Sequence, residues 1–446
     1  MVLEVIPVGG YNEVGKNMTV IKSGNESVIL DMGFHLPSLI GFEEQGGDRR
    51  NLTTKGLQKL GAIPDDAILS SIKNTVKAIV PSHCHLDHIG AIPYLEKNYD
   101  APIIATPYTN EVLKTLAKDE KIKLNNEVIS KKAGARIKVS KNIEVELINM
   151  THSTLDAANI IVHTPDGKVV YTNDFKFDNK PIIGAKPDYK RLKQVGASGE
   201  VKALIQDCLY AGTHMKTPSE SVAKEMLKDV MLGADNHGHS LIVTCFASHL
   251  ARIKSAVEFG KKLNRQIILL GRSLSKYSQA ADKIGYVPWL KDVEVVTYSR
   301  QVQKALQKIE KNRDKYMVIC TGNQAEPGAI LTRMGAGKLP FKFLHDDHVI
   351  FSCKTIPVEP NITNRVRLDK QLTGKGVRLF KDIHVSGHGA REDIRDMIDM
   401  VKPEKIIPAH GGKDHTYPIT DLTEIMGYKT GKDVLFMTNG KPVVLK

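Results

Sequence analysis

The sequence contains no long hydrophobic run. No stretch approaches the roughly 20 consecutive apolar residues of a membrane-spanning helix. The N-terminal segment MVLEVIPVGG also lacks the basic residues and the longer apolar run of a secretory signal. Internal repeats, coiled-coil heptads and low-complexity tails are absent as well. These absences argue against a membrane-spanning or repeat protein, and they predict an unprocessed cytoplasmic protein with no membrane partner.

Cysteine is scarce and has no regular spacing. The five cysteines are odd in number, and no two of them form a Cys-x-x-Cys pair. The sequence therefore indicates neither a disulfide framework nor a zinc finger built from thiolates. Such a pattern is typical of a protein in a reducing compartment.

Acidic residues are fewer than basic ones. The chain has 63 Lys and Arg against 50 Asp and Glu, which gives a formal charge of +13 at pH 7. This excess favours an anionic partner such as nucleic acid. The charged run KALQKIEKNRDK is predicted to be the solvated face of a helix rather than a dedicated RNA contact.

The length of 446 residues exceeds what one hydrophobic core normally organises, so we expect two domains or one domain with a large insertion. Short β-branched runs bounded by Gly, Pro, Asn or Asp fill the first two hundred residues and predict a sheet-rich half. From about residue 212, segments with helical spacing alternate with short apolar strands. That alternation predicts a parallel α/β unit.

The segment HCHLDH, at positions 83 to 88, is the densest group of potential metal ligands in the chain. If the strand AIVPSH runs into it, His83 and His85 point to the same side and converge on one ion. Asp87 and His88 then turn with the chain toward a second ion. Imidazole and carboxylate suit Zn²⁺, with Mn²⁺ as an alternative, and a carboxylate is a natural bridge between two ions.

Other polar residues directly follow apolar strands elsewhere in the chain, namely Asp31, His152, Asp174 and His410. One such residue alone is more often a hydrogen-bonded structural group than a ligand. Taken together with HCHLDH, the set is explained far better by a dinuclear metal centre than by chance.

HxHxDH with isolated His, Asp and His further along resembles the metallo-β-lactamase fold, an αββα sandwich with its metals at one sheet edge. The resemblance implies that His83, His85 and His152 bind one metal, that Asp87, His88 and His410 bind the other, and that Asp174 bridges them. Asp31 would orient ligands through hydrogen bonds. A histidine at position 85, where redox members of the fold have a carboxylate, favours zinc and hydrolysis.

A hydroxide that bridges two metal ions is a nucleophile at neutral pH, but this chemistry serves esters, lactones, amides and phosphodiesters alike. The unit between Asp174 and His410 is more informative, because it resembles the β-CASP domain carried by nucleases. Asp207 in IQDCLY and His388 in HVSGHG match the first and second motifs of that family, and His410 matches the third. The strings TCFASHLARI and CTGNQAEPGAILTRM are also similar to β-CASP sequences.

These resemblances predict an α/β protein in which a parallel α/β β-CASP domain is inserted into a metallo-β-lactamase sandwich. The first part of the metallo-β-lactamase domain is assigned to residues 1–212 and its C-terminal part to residues 392–446. The β-CASP domain is assigned to residues 213–391.

Over essentially the whole chain, the sequence resembles the ribonuclease J family, most specifically in GGYNEVGKNMTVI, SHCHLDHIGAIPYL, FSCKTIP and IHVSGHGAREDI. The resemblance implies a zinc-dependent exoribonuclease that degrades single-stranded RNA from a 5′ monophosphate in the 5′-to-3′ direction, and some members also cut internally. A homodimer is expected by the same analogy. The absence of the extra C-terminal domain of bacterial members favours the shorter archaeal form.

The 5′ phosphate is predicted to contact the segment made of His384, Val385, Ser386, Gly387 and His388. If this segment is a strand, its alternate side chains share one face and present two imidazoles and a hydroxyl to the phosphate beside the amide of Gly387. The family resemblance assigns the nucleotide phosphate to this segment.

The predicted catalytic residues are Asp87 and His388, and His388 would protonate the leaving 3′ oxygen. Asp207 is placed behind them as a supporting carboxylate. Ser352 in FSCKTIP either completes the phosphate pocket or is a plain serine at a strand end. Cys84 lies between two ligands, where the family usually has Gly, so its side chain should point away from the metals. It is interpreted as tolerated packing, with an oxidation-sensitive thiol as the alternative.

Three alternative functions are less well supported by the sequence. A β-CASP endonuclease of the cleavage and polyadenylation factor type is disfavoured, because archaeal relatives of that branch usually begin with RNA-binding KH domains and this chain begins with hydrolase strands. An RNA-binding protein without catalysis is disfavoured because every expected ligand is present. A small-molecule hydrolase would leave the insertion and the basic charge without an evident use.

Overall fold

The computed structural model describes residues 2–445, and the chain divides into two compact units. The first unit comprises residues 2–179, Gly184–Thr217 and residues 386–445. The second unit comprises Lys180–Ile183 and Pro218–Val385. Each unit combines strands and helices, so the α/β class predicted from the sequence is confirmed.

Strands dominate the first part of the chain, where Val and Ile recur because their branched side chains pack well on a pleated sheet. The strands are β1 (Leu3–Gly9), β2 (Met18–Ser23), β3 (Glu26–Leu30), β4 (Val76–Val80), β5 (Ile103–Ala105), β6 (Val128–Ser130), β7 (Arg136–Lys138), β8 (Glu144–Asn149), β9 (Ala158–Thr164), β10 (Gly167–Tyr171) and β11 (Val201–Asp207). The helices are α1 (Leu36–Glu44), α2 (Thr54–Lys59), α3 (Leu86–Ile89), α4 (Ile92–Leu95), α5 (Pro107–Asp119) and α6 (Tyr189–Ala197).

Helices and strands alternate in the second unit, as the sequence predicts. The helices are α7 (Glu220–Gly233), α8 (Leu250–Lys262), α9 (Arg272–Asp282), α10 (Ser299–Lys311), α11 (Ile330–Gly335) and α12 (Asn361–Thr373). The strands are β12 (Leu241–Thr244), β13 (Gln266–Leu270), β14 (Val293–Val296), β15 (Tyr316–Cys320), β16 (His348–Phe351) and β17 (Arg378–Phe380). All of these strands pair in parallel, in the order β14-β13-β15-β12-β16-β17. Runs such as IILL in β13 are continuously apolar because helices cover both faces of a parallel sheet.

The last part of the chain returns to the first unit. It contains α13 (Arg391–Val401), β18 (Lys405–Ala409), α14 (Lys413–Thr416), α15 (Ile419–Ile425) and β19 (Val443–Leu445). β18 pairs in parallel with β11, and β19 pairs in antiparallel fashion with β1. The C-terminal residues therefore complete both sheets of the unit that the N-terminal residues begin.

Two sheets face each other in the first unit. Their strand orders are β19-β1-β2-β3-β4-β5-β6 and β18-β11-β10-β9-β8-β7. Buried residues of both sheets form one shared core, to which Ile21, Val80, Val162 and Ile205 belong. Helices α6, α13 and α15 pack on the outer face of the second sheet. This arrangement brings the carboxyl ends of β4, β10, β11 and β18 close together. Candidate metal ligands follow three of these strand ends, and Asp207 is the last residue of β11.

Two local predictions are wrong. The apolar segment DVLFM, whose composition predicts a strand near the end of the chain, does not form one, and Val434 makes isolated bridges with Ile406 and Thr430. Residues 384–388 form no strand either, because β17 ends at Phe380 and the chain continues as a loop.

Within residues 2–445, no helix combines the length and the apolar character needed to cross a bilayer. The cytoplasmic location stays a prediction. All five cysteines are buried free thiols.

Candidate metal centre

The segment HCHLDH follows β4, but not in the way that strand alternation predicts. β4 ends at Val80, so His83 and His85 lie in the loop that leads to α3. His85 precedes the first residue of α3, and Asp87 and His88 lie within that helix. The convergence of the two histidines therefore arises from the turn between strand and helix and not from the pleat of a strand.

A first group of potential ligands contains His83, His85, His152 and Asp174. His85 Nδ1 lies 3.0 Å from His83 Nε2 and 3.1 Å from His152 Nε2. Asp174 Oδ2 lies 3.6 Å from the Nε2 atoms of both His83 and His152. Four ligands at about 2.0–2.2 Å from a tetrahedral Zn²⁺ lie roughly 3.3–3.6 Å from one another, so this spacing fits one divalent ion.

A second group contains Asp87, His88, His410 and again Asp174. Here the other carboxylate oxygen takes part, since Asp174 Oδ1 lies 3.3 Å from His88 Nε2 and 3.6 Å from His410 Nε2. Asp87 Oδ2 lies 3.6 Å from His88 Nε2. Asp174 Oδ1 is buried and has no hydrogen-bond partner among the described residues. A buried oxygen of this kind, surrounded by imidazole nitrogens, fits a second divalent ion.

Burial and neighbouring charges set the protonation of these groups. Burial lowers the pKa of His83 and His152 well below the usual range, and it lowers the pKa of His85 to about 4. The three imidazoles are therefore neutral at pH 7, which is the form that binds metals. Burial also opposes charge on His88, but the carboxylates of Asp174 and Asp31 outweigh it and raise the pKa of His88 well above its usual range. A site that favours a proton in this way also favours a cation.

Asp31 holds His88 in place. Its Oδ2 accepts hydrogen bonds from His88 Nδ1 at 2.7 Å, from Ser82 Oγ at 2.9 Å and from the Tyr171 hydroxyl at 2.7 Å. Asp31 adopts a φ of +60°, a conformation that costs a residue other than glycine about 1–3 kcal/mol. The sequence predicted the orienting role of Asp31. It gave no signal for Tyr171, which ends β10 in the other sheet of the same unit.

Two other candidate ligands, His410 and His152, are oriented by contacts to their own Nδ1 atoms. His410, which also has a positive φ of +61°, lies with Nδ1 3.1 Å from Asn17 Oδ1. His152 Nδ1 lies 2.7 Å from the carbonyl oxygen of Gly387. A Cβ atom at Gly387 would lie 2.7 Å from Ser153 Cβ, so only glycine fits this approach. Sequence reasoning missed Asn17, although it belongs to the family-specific string GGYNEVGKNMTVI.

His388 and Asp207 form a pair beside the metal groups. Asp207 Oδ2 accepts a hydrogen bond from His388 Nδ1 at 2.9 Å, and His388 Nε2 lies 3.8 Å from Asp174 Oδ2. Burial opposes the charge on His388, but Asp174 and Asp207 raise its pKa to about 9. The imidazole is therefore protonated at neutral pH, and its Nε2 is the nitrogen directed toward Asp174.

The other residues predicted to contact substrate lie partly in the second unit. His384 and Val385 end that unit, and Ser386 and Gly387 begin the return to the first. Ser352 is buried, and its hydroxyl donates a hydrogen bond to the carbonyl oxygen of Ile383 at 2.9 Å. The Ser352 hydroxyl could donate a hydrogen bond to a phosphate only if its hydrogen bond to Ile383 were broken.

Cys84 points away from the ligands. Its thiol is fully buried and lies 3.0 Å from the hydroxyl of Thr154. Burial raises the pKa of Cys84 to about 12. The thiol is therefore protonated and shielded, which favours tolerated packing over an oxidation-sensitive site.

Three family models match successive parts of the chain. Residues 11–229 match the metallo-beta-lactamase superfamily, and residues 238–368 match the ribonuclease J beta-CASP domain. Residues 377–433 match the Zn-dependent metallo-hydrolase RNA specificity domain. A solved structure of a protein of unknown function from Enterococcus faecalis V583 covers 100% of both chains with a TM-score of 0.68. At 15% identity, it supports the fold alone.

Relatives named ribonuclease J cover nearly the whole chain. The sequence is 44% identical to that of Methanocaldococcus jannaschii over 443 residues, which are 99% of this chain and 98% of that protein. It is 42% identical to that of Pyrococcus abyssi, with 99% and 97% covered. It is 31% identical to that of Thermus thermophilus, with 97% and 72% covered. The chain therefore belongs to the ribonuclease J family of the metallo-β-lactamase superfamily.

Proposed function

We propose that this chain hydrolyses the phosphodiester bonds of RNA, starting at a 5′-monophosphorylated end and proceeding in the 5′-to-3′ direction. Membership in the ribonuclease J family makes it a metal-dependent ribonuclease, and the match to an RNA specificity domain over residues 377–433 agrees with an RNA substrate. The observation that carries the proposal is the position of Asp174, whose two carboxylate oxygens face two separate sets of ligands.

Two zinc ions are the proposed cofactor, with Mn²⁺ as the alternative. His83, His85 and His152 would hold one ion and Asp87, His88 and His410 the other, with Asp174 shared between them. When bound, the ions supply a nucleophile from water at neutral pH and neutralise the charge that builds on the phosphate. The neutral imidazoles of the first set and the buried carboxylate of Asp174 support this assignment.

His388 is proposed to protonate the leaving 3′ oxygen. Asp207 accepts the hydrogen bond from His388 Nδ1, which fixes the ring and leaves the proton on Nε2 for donation. The raised pKa of His388, about 9, keeps that proton in place at neutral pH. Asp207 thus acts by orienting and charging the imidazole.

The segment 384–388 is proposed to bind the 5′ phosphate, with single-stranded RNA extending from it. The second unit contains 28 Lys and Arg against 16 Asp and Glu, a formal charge of +12, whereas the rest of the chain contains 35 against 34. Positive charge on that scale favours binding to the RNA backbone. We therefore assign most of the affinity for RNA to the second unit.

The domain assignment is likewise a proposal. We assign residues 1–212 and 392–446 to the metallo-β-lactamase domain and residues 213–391 to the inserted β-CASP domain. The main segment of the second unit, Pro218–Val385, and the family match over residues 238–368 both fall within the inserted range. The homodimer expected by family analogy stays a prediction, which sedimentation velocity tests.

The end preference is tested with three RNAs of one sequence, carrying a 5′ monophosphate, a 5′ triphosphate or a closed circle, in the presence of Zn²⁺ or Mn²⁺. We expect rapid release of mononucleotides from the monophosphorylated RNA and slow turnover of the other two. The Asp174→Asn variant serves as the inactive control. Equal rates on all linear ends would contradict the 5′-monophosphate preference, and efficient cutting of circles would establish internal cleavage.

A further inference from the structure

Arg252 is a fully buried arginine in the second unit. It lies in the first turn of α8, after β12 and within the string TCFASHLARI. Removing a guanidinium from water costs several kcal/mol unless it is paired and hydrogen-bonded. The contacts of Arg252 must therefore compensate for the burial of its charge.

Two nitrogens of the guanidinium form an ion pair with Glu220, the first residue of α7. Arg252 Nε donates to Glu220 Oε1 at 2.6 Å, and Nη2 donates to Glu220 Oε2 at 2.9 Å. Glu220 is itself buried and lies at a helix N-terminus, where backbone amides favour a negative charge. This ion pair anchors α8 to α7.

The third nitrogen of the guanidinium, Nη1, links two loops. Arg252 Nη1 donates to the Ser352 carbonyl at 2.9 Å, to the Ser352 hydroxyl at 3.0 Å and to the Ile383 carbonyl at 3.0 Å. The Ser352 hydroxyl in turn donates to Ile383 O at 2.9 Å. Ser352 directly follows β16, and Ile383 directly precedes His384, where the proposed phosphate-binding segment begins. We call Arg252, Glu220, Ser352 and Ile383 the arginine brace.

The brace lies at the carboxyl ends of parallel strands, which is the edge of an α/β sheet where ligands bind. The segment after Ile383 lies outside the sheet, because β17 ends at Phe380 and residues 384–388 form a loop. Hydrogen bonds of a sheet ladder therefore do not fix the start of this segment. The carbonyl of Ile383 is fixed instead by Arg252 and Ser352.

We propose that Arg252 is a positioning residue for recognition of the 5′ phosphate, acting by holding Ile383 and hence the start of the segment 384–388. Ser352 belongs to the same brace and acts through its hydrogen bond to Ile383 rather than as a direct phosphate ligand. The inference rests on the proposed function, because it names what sets the end specificity of that same site.

The chain offers a matched control in Arg265. This second buried arginine of the same unit also makes five side-chain hydrogen bonds, to His239, Arg313, Tyr316 and Asn236. Its partners lie before β12 and around the start of β15, away from Ser352 and Ile383 in the sequence. Loss of Arg265 should therefore destabilise the unit without disturbing the brace.

The test compares Arg252→Lys, the double variant Glu220→Gln with Arg252→Met, and Arg265→Lys in the full-length zinc-loaded protein. The double variant removes both charges together, so no unpaired buried charge is left to unfold the unit. For each protein, kcat and KM are measured on RNA with a 5′ monophosphate and on the same RNA with a 5′ hydroxyl. Hydrolysis of bis(p-nitrophenyl) phosphate reports on the metal centre alone.

Both Arg252 variants should raise KM for the monophosphorylated RNA by about tenfold, the loss expected when a charge-assisted hydrogen bond no longer positions the site. Values for the hydroxyl RNA and for the small phosphodiester should change by less than about twofold. Arg265→Lys should leave the ratio of the two RNAs unchanged while lowering the melting temperature.

Equal losses on both RNAs, or the same loss of discrimination in Arg265→Lys, would show that Arg252 is merely structural and would overturn the inference. A wild-type protein that does not distinguish the two RNA ends would instead contradict the proposed function and, with it, this inference. The wild-type comparison therefore separates the two failures.

Discussion

The two units of the chain use charge in opposite ways. The second unit has a formal charge of +12, while the rest of the chain is close to neutral, with 35 basic against 34 acidic residues. The first unit concentrates its chemistry in a buried group of histidines around one carboxylate, Asp174. This contrast favours the proposed division of labour, in which the first unit would supply bond cleavage and the second would supply affinity for the RNA backbone.

Buried charge has a different use in each unit as well. In the first unit, the buried Asp174 faces ligands and leaves one oxygen without a hydrogen bond from the described residues. In the second unit, the buried Arg252 is fully engaged with Glu220, Ser352 and Ile383. An incompletely satisfied group is ready to bind an ion, whereas a satisfied one fixes the geometry of its neighbours.

The largest effect should come from the residue that both ligand groups share. Asp174→Asn should lower turnover by about a thousandfold or more, because it weakens both metal sites at once. Metal content, measured by plasma mass spectrometry, should fall below that of the wild type, while RNA binding by the second unit persists. Glu200→Gln, at an exposed carboxylate just before β11, is the control. Turnover within tenfold of the wild type would show that Asp174 is not a shared metal ligand.

A smaller loss should follow from replacing His388, the proposed general acid. His388→Ala should reduce turnover by about a hundredfold or more with metal content unchanged, since general acids contribute on that scale. Asp207→Asn should cost about tenfold, because it keeps an oxygen that can accept the hydrogen bond from His388 but removes the negative charge that favours the protonated imidazole. Steady-state kinetics and metal analysis of the same samples check both. An acid role for His388 is incompatible with activity that survives within a fewfold.

Replacing exposed lysines should weaken RNA binding more in the second unit than in the first. Lys354→Gln combined with Lys381→Gln, in the second unit, should weaken binding by about fivefold and reduce its salt dependence, because each phosphate contact releases counterions. Lys131→Gln combined with Lys132→Gln, at exposed positions of the first unit, should change binding much less. Fluorescence anisotropy over a range of salt concentrations measures both. Equal effects of the two pairs would break the proposed division of labour.

The smallest effect concerns Cys84, the thiol within the ligand segment. Mild oxidation should leave activity unchanged, because the thiol is buried beside Thr154 and burial raises its pKa to about 12. Activity before and after brief peroxide treatment tests this, with Cys84→Gly as the control. A loss in the wild type that the glycine variant escapes would identify a redox-sensitive site in the first unit.

The architecture and the proximity of the candidate ligands could be predicted from the sequence more fully than the local geometry of those residues. His152, Asp174 and His410 each follow an apolar strand, and strand ends meet at one edge of a sheet, so their proximity was predictable. The shape of HCHLDH was not, because the strand stops at Val80 and the turn into α3 depends on tertiary packing.

Residues that support the ligands from a distance were the least predictable. The side-chain amide of Asn17 contacts both His410 and His88, and the Tyr171 hydroxyl donates a hydrogen bond to Asp31. Such contacts leave no periodic pattern in a sequence. The loop at residues 384–388 was also misassigned, since its alternating histidines and serine imitate a strand. Its hydrogen bonds go to side chains such as Asp207 instead of a ladder.

Anomalous diffraction at the zinc absorption edge, from crystals of the protein purified without added metal, would locate the metal ions. We expect two peaks per chain, one among His83, His85 and His152 and one among Asp87, His88 and His410, with Asp174 between them. A single peak, or an iron pair in place of zinc, would contradict this expectation.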